Sequence, residues 1–230
     1  MRLTTKRFAT FLGGDIAAEQ FREDFPNGLD IGGLWESPQE AEKVWGVLLK
    51  SWLRHYIGYG IYTGLFPRRI YAPSLRGWDL RGVDLRGAAL YEIDFSGAIL
   101  ADASFTDAYL VGVNFTKAQL GLAAFTRAYC LNVNWTGANL ANATFWEATV
   151  HGGKFNQATL RYTTFYRARL WRVYLRLAEA EGADFRWAHF HHADVTRANF
   201  EGARFDHARF DETVARHTVW PTGFEPEGLR

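Results

Sequence analysis

Every residue whose number is a multiple of five, from Leu75 to Phe210, is apolar, which makes 28 positions without a break. With 48% of the chain apolar, such a run arises by chance roughly once in a billion trials. Leu and Phe dominate, with Cys130, Trp135, Val150, Ala180 and Val195 among the exceptions. Two residues before each of these lies a second column, which is Ala at 19 of its 28 positions. Pro73, Trp78, Val83, Ile93, Val113, Val133, Gly153, Thr163 and Val173 are the departures, most of them still small. A period of five suits neither a helix at 3.6 nor a flat strand at 2. The backbone must return to one environment every five residues, as a coil of short straight edges joined by turns does.

The number of edges follows from stepping by twenty. One column then reads Leu80, Leu100, Leu120, Leu140, Leu160, Ala180, Phe200, and another Leu85, Phe105, Phe125, Phe145, Phe165, Phe185, Phe205. Leu stacks on Leu and Phe on Phe at that step, so a coil has four sides and twenty residues. Glycines such as Gly77, Gly97 and Gly137, two residues after the inward one, suit turns of positive φ. Ala180 lacks the bulk of its column. It predicts a bulge across 177–182 or neighbouring Phe rings filling the gap.

The motif Ala-(Asp/Asn)-(Leu/Phe)-x-x, as in Ala138-Asn139-Leu140-Ala141-Asn142 and Ala183-Asp184-Phe185-Arg186-Trp187, resembles the pentapeptide-repeat proteins. The resemblance covers 71–212 and implies a mainly β fold, a right-handed quadrilateral β-helix of about seven coils.

The flanks differ from the repeat. Residues 1–70 lack it and form a small α-helical cap or recognition region in this division, with 213–230 a C-terminal cap or tail. Ser37-Pro38-Gln39-Glu40 is a capping box with Pro at the first helical position. Ala41, Val44, Trp45, Leu48, Leu49, Trp52 and Tyr56 share one face, which predicts an amphipathic helix over 38–57. A weaker helical pattern runs over 15–25. Trp78, too large for its column, is expected to meet this N-terminal region. At the other end, Val214, Val219, Trp220 and Phe224 can fold over the last coil, while Pro221, Gly223 and Pro226 predict that the final residues are loop or disordered.

The sequence offers no catalytic set, so the chain reads as a non-enzyme without cofactor. Gly13-Gly14-Asp15 and Gly32-Gly33 lack the Lys-Ser/Thr of a phosphate loop, and Gly-x-Ser-x-Gly is absent. Cys130 occupies an inward position and reads as a small buried hydrophobe. As the single Cys it excludes an internal disulfide. With no 18-residue apolar run, the expectation is a soluble cytoplasmic protein away from membranes. His189-Phe190-His191-His192, with His151 two coils below, is the strongest metal candidate. No thiolate or matched carboxylate set is expected to accompany them, so these read as surface histidines rather than a metal site.

Outward residues supply the functional signal. The side on Leu75, Phe95 and Phe115 carries Arg76, Ser96, Thr116, Thr136, Asn156, Arg176 and Thr196, a wet surface. The side on Leu90, Leu110, Cys130, Val150, Leu170 and Phe190 carries Tyr91, Val111, Leu131, His151, Trp171 and His191 after the core residue. Before it stand Tyr109, Tyr129, Arg169, His189 and Arg209, and Trp146, Tyr166, Arg167 and Trp187 lie across the corner. Aromatics with Arg compose interface hot spots. The expectation is a rigid scaffold that binds a protein partner, or a second copy of itself as a homodimer, unless residues 1–70 or the tail cover this side. Direct nucleic-acid binding is disfavoured by the near-neutral charge of +1. The family resemblance adds an alternative, a DNA-mimicking modulator or protector of the type II topoisomerase DNA gyrase. Against it, residues 75–210 hold 15 Lys and Arg against 13 Asp and Glu, whereas mimicry requires negative charge.

Overall fold

A computed structural model describes residues 75–230, together with two short strands, β1 (Arg2–Leu3) and β2 (Leu29–Asp30), which pair antiparallel. The helices expected over 15–25 and 38–57, and any contact of Trp78 with the N-terminal region, lie outside the described residues. Trp78 itself is partly buried against the core.

The repeat folds as a parallel β-solenoid. Its one broad sheet runs β3 (Ala89–Tyr91), β4 (Tyr109–Val111), β5 (Tyr129–Leu131), β6 (Thr149–His151), β7 (Arg169–Trp171), β8 (His189–His191) and β9 (Arg209–Asp211). Neighbouring strands pair in register at a step of twenty, Leu110 beside Cys130 and Leu170 beside Phe190. Six turns therefore separate β3 from β9. The other three sides are narrower ladders of single bridges at the same step, such as Asn114 to Asn134, Gln119 to Asn139 and Ala124 to Thr144.

One pentapeptide explains the rung. The inward residue and the small residue two before it are buried, as Phe125 and Ala123 are. The residue between them faces outward and joins the ladder. The chain then turns, closed on three sides by a local bond such as the Ala128 amide to the Phe125 carbonyl at 3.0 Å. The position two after the core residue has positive φ throughout, as the glycines suggested. Twenty non-glycine residues hold the same conformation, including Arg167 at 57° and Trp187 at 61°. Each costs about 1–2 kcal/mol in isolation. The ladder bonds on either side over-determine the turn, and so it persists.

The aromatic columns stack as the step of twenty requires. Phe105, Phe125, Phe145 and Phe165 lie 4.6–4.8 Å apart between successive ring centres and within 13° of parallel. Across the axis the column of Phe115, Trp135 and Phe155 meets them edge to face, Phe125 to Trp135 at 5.9 Å and 87°. This is the arrangement that the ring quadrupole favours. Gly153 departs from Ala because a Cβ there would come within 2.5 Å of Val150 and 3.3 Å of the Trp135 indole. Thr163 is accommodated by its hydroxyl, which donates to the Leu140 carbonyl at 2.8 Å.

Two expectations leave alternatives open, and the structure narrows each. No bulge occurs at Ala180: the ladder continues from Thr159 through Glu179 to Asn199, and the Ala180 amide bonds to the Asn199 carbonyl at 2.8 Å. Ala180 is fully buried, and in the same region Phe190 of its coil and Phe200 of the next both pack on Phe185 at 5.4 Å. The final residues are loop and turn with a single bridge, and contacts hold them against the last coil. Trp220 stacks on Phe200 at 5.2 Å and Phe224 on Phe205 at 4.9 Å, closing the core. Leu229 bridges Thr213 beyond them. Gly228 passes so close to the Phe210 carbonyl that no side chain fits. Val219 faces solvent, 51% exposed, because it occupies an outward ladder position.

Candidate functional site

The broad sheet is the side marked out in the sequence. Because strand residues alternate, each three-residue strand buries its middle residue and sends its two flanks outward. In-register pairing then lines those flanks up in two columns. The first runs Tyr109, Tyr129, Thr149, Arg169, His189, Arg209, and the second Tyr91, Val111, Leu131, His151, Trp171, His191, Asp211.

The candidate residues gather in three groups along this side. Near β3–β5, Tyr109 stacks on Tyr129 at 4.8 Å and 4°, and Tyr91 leans on Tyr109 at 5.9 Å. Burial chiefly, and the neighbouring Tyr109, push the Tyr91 phenol pKa above its ordinary value. Across the corner, Trp146 meets Tyr166 edge-on at 6.4 Å, and the Arg167 guanidinium lies 5.4 Å from the Tyr166 ring centre. Toward β8, Trp171 stands between His151 and His191 at 6.4 Å from each. Trp187, at the corner, stacks on His207 at 4.1 Å. Arg169 lies in register between Thr149 and His189. Trp146 and Trp187 are each about half exposed, at 49% and 51%. Such exposure of indoles leaves apolar area for a second surface to cover.

Sequence reasoning missed five members. Arg186 places a second guanidinium 5.4 Å from Tyr166, and His207 backs Trp187. Asp107 and Arg127 form a two-toothed ion pair at 2.7 Å along the same corner. Asp211 joins His189, with 2.5 Å between Oδ2 and Nε2. The twenty-residue step applied to outward residues finds His207 and Arg127, and a diagonal step finds Arg186 and Asp211. The wet side also holds surprises, since Tyr174 and Leu177 are exposed there. They lie apart from the three groups, and scattered apolar residues are ordinary on a surface.

Cys130 is fully buried, and desolvation pushes its thiol far above the ordinary value. It remains a packing residue. No helix among the described residues is long and apolar enough to cross a membrane.

The repeat geometry defines the class. The model of pentapeptide repeats matches 79–116, 118–161, 154–191 and 183–218 with eight copies, more than half of the chain. The chain belongs to the pentapeptide-repeat family. Among solved structures it is similar to HetL, a pentapeptide repeat protein involved in heterocyst differentiation regulation from the cyanobacterium Nostoc sp. strain PCC 7120. That match has 22% identity and a TM-score of 0.31, covering 70% of this chain and 77% of HetL. QnrB1, a plasmid-mediated fluoroquinolone resistance protein, matches at 17% identity and a TM-score of 0.46, over 66% of this chain and 76% of its own. A pentapeptide repeat protein of the Arabidopsis thaliana thylakoid lumen is 28% identical, over 56% of this chain and 69% of its own, with a TM-score of 0.29. No curated protein matches the chain.

Proposed function

We propose that this protein is a non-enzymatic interaction scaffold whose strand side binds a protein partner or a second copy of the chain. One observation carries this reading: exposed aromatics and arginines recur along the outer columns of a rod whose core is already satisfied. The stacked tyrosines, the Tyr166 ring between two guanidiniums, and Trp171 and Trp187 are the residue types that dominate interface energies. A stiff parallel ladder holds them at fixed spacing, so little ordering is needed on binding. Residues 1–70 serve in this reading as a cap, 71–212 as the binding rod and 213–230 as its closing tail.

The experiment is the double variant W171S/W187S in the full chain. It abolishes association, read by light scattering for a dimer and by pull-down of the native partner for a heterologous complex, while the melting temperature stays close to that of the parent. If the folded double variant associates as strongly as the parent, the interface lies elsewhere. A DNA-mimicking gyrase modulator is the alternative. It calls for a negative surface, whereas Arg167, Arg169, Arg186 and Arg209 accompany the aromatics here. Inhibition of supercoiling by purified gyrase, or protection from a quinolone, at micromolar protein would favour it over the scaffold.

A further inference from the structure

At the C-terminal end of the strand side, three groups that ligate borderline metals converge. His189 and His191 flank the buried Phe190 on β8, so both rings leave the sheet on its outer face. One rung on, β9 pairs in register and sets Arg209 beside His189 and Asp211 beside His191. The Asp211 carboxylate crosses diagonally to His189 at 2.5 Å. One ligand atom from each of the three residues lies within 4.8 Å of the others. Around a tetrahedral ion with bonds near 2.0–2.1 Å, ligand atoms stand roughly 3.3 Å apart. Shifts of about an ångström at the side-chain tips therefore close the set, and the ion takes the place of the His189–Asp211 hydrogen bond.

The surroundings contain both help and opposition. Trp171 packs edge-on against His191 at 6.4 Å and limits its swing, and His192 lies 4.4 Å from the same ring. Arg169 and Arg209 flank His189 in register and oppose a second cation. Asp211 offsets part of that charge.

We propose that His189, His191 and Asp211 form a site for a borderline divalent transition-metal ion of the Zn2+ type, which clamps β9 onto β8 and pins the terminal coil. Two imidazoles and one carboxylate suit such an ion better than Mg2+ or Ca2+, which require more oxygen ligands. Water fills the remaining coordination position. The site shares His189 and His191 with the strand side proposed as an interface, but ligation of an ion requires no partner, and its test reads metal binding alone.

The test uses the full chain without a histidine tag, stripped with a chelator and titrated with ZnCl2 by calorimetry and with CoCl2 by visible absorption. One ion binds per chain at micromolar concentration, the melting temperature rises with metal, and amide exchange over 209–211 slows. H189A, H191A and D211N each weaken binding by more than about tenfold. H207A and H217A leave it unchanged. The side chains are at the surface, so the metal-free variants melt with the parent, and this control separates lost ligation from lost fold. Absence of saturable binding at about 100 μM Zn2+ overturns the proposal. So does binding that survives H189A/D211N together, which places the ion elsewhere. Binding without slower exchange over 209–211 overturns the clamp.

Discussion

The side built on Leu80 to Phe200 and the opposite side built on Leu90 to Phe210 rest on comparable layers, aliphatic through most coils and aromatic near the end. Outside the core they diverge. The first presents mainly small and polar residues such as Ala101, Gly121, Ala141, Asn139 and Thr159, with Ile99, Leu122 and Tyr162 exposed singly rather than in stacked columns, and it pairs charges locally. Arg161 there reaches Glu179 at 3.3 Å and Glu181 at 3.2 Å. The second keeps three-residue strands and carries Tyr, Trp, His and Arg in stacked columns. Both sides obey the same period, so the repeat dictates only what points inward. Outward positions are free of the packing constraint, and recognition can be written there without disturbing the fold.

Equal support beneath unequal surfaces is the first point to break. Leu140 lies under the polar side and Leu170 under the aromatic one, both fully buried. L140A and L170A each lower stability by about 2–5 kcal/mol in urea titrations, and the two values agree within about 1 kcal/mol. A clear gap would show that one side carries more of the rod. Restoring leucine to the irregular rung gives a smaller effect of the opposite kind. A180L destabilises by about 1–3 kcal/mol, since Ala180 is already fully buried within the packed core. A more stable A180L would mean that a cavity remains there.

Acid sharpens the picture of the side between them. Burial raises the pKa of Asp194, but bonds from Thr196 and from Arg176 at 2.6 Å outweigh it, so its carboxyl sits below the ordinary 3.8. A depressed folded pKa stabilises above the unfolded value and is lost as pH falls through the folded one. The expected loss below pH 3.8 is under about 1 kcal/mol because Arg176 is largely exposed. D194N flattens that acid limb, and an unchanged limb would assign the loss to other carboxylates. The smallest effect belongs to Cys130. Under native conditions its thiol resists alkylation, and modification proceeds only at the rate of unfolding. Fast labelling of the folded chain would show that the strand side opens there.

The amino-acid sequence by itself settles the coil, its four sides, the Leu and Phe columns and the location of the aromatic surface. Each depends on a fixed period, and any backbone that buries every fifth residue must stack residues twenty apart. The same rule made the positive-φ turns legible at Gly77 and Gly97. It did not extend to Trp187 or Arg167, where neighbouring rungs rather than local preference hold the turn. Only the tertiary structure decides how outward side chains and the tail meet: Arg186 over Tyr166, Asp211 diagonal to His189, and Leu229 returning to Thr213. Those contacts depend on rotamers and on the path of a tail without a repeat, and periodicity holds no information about either.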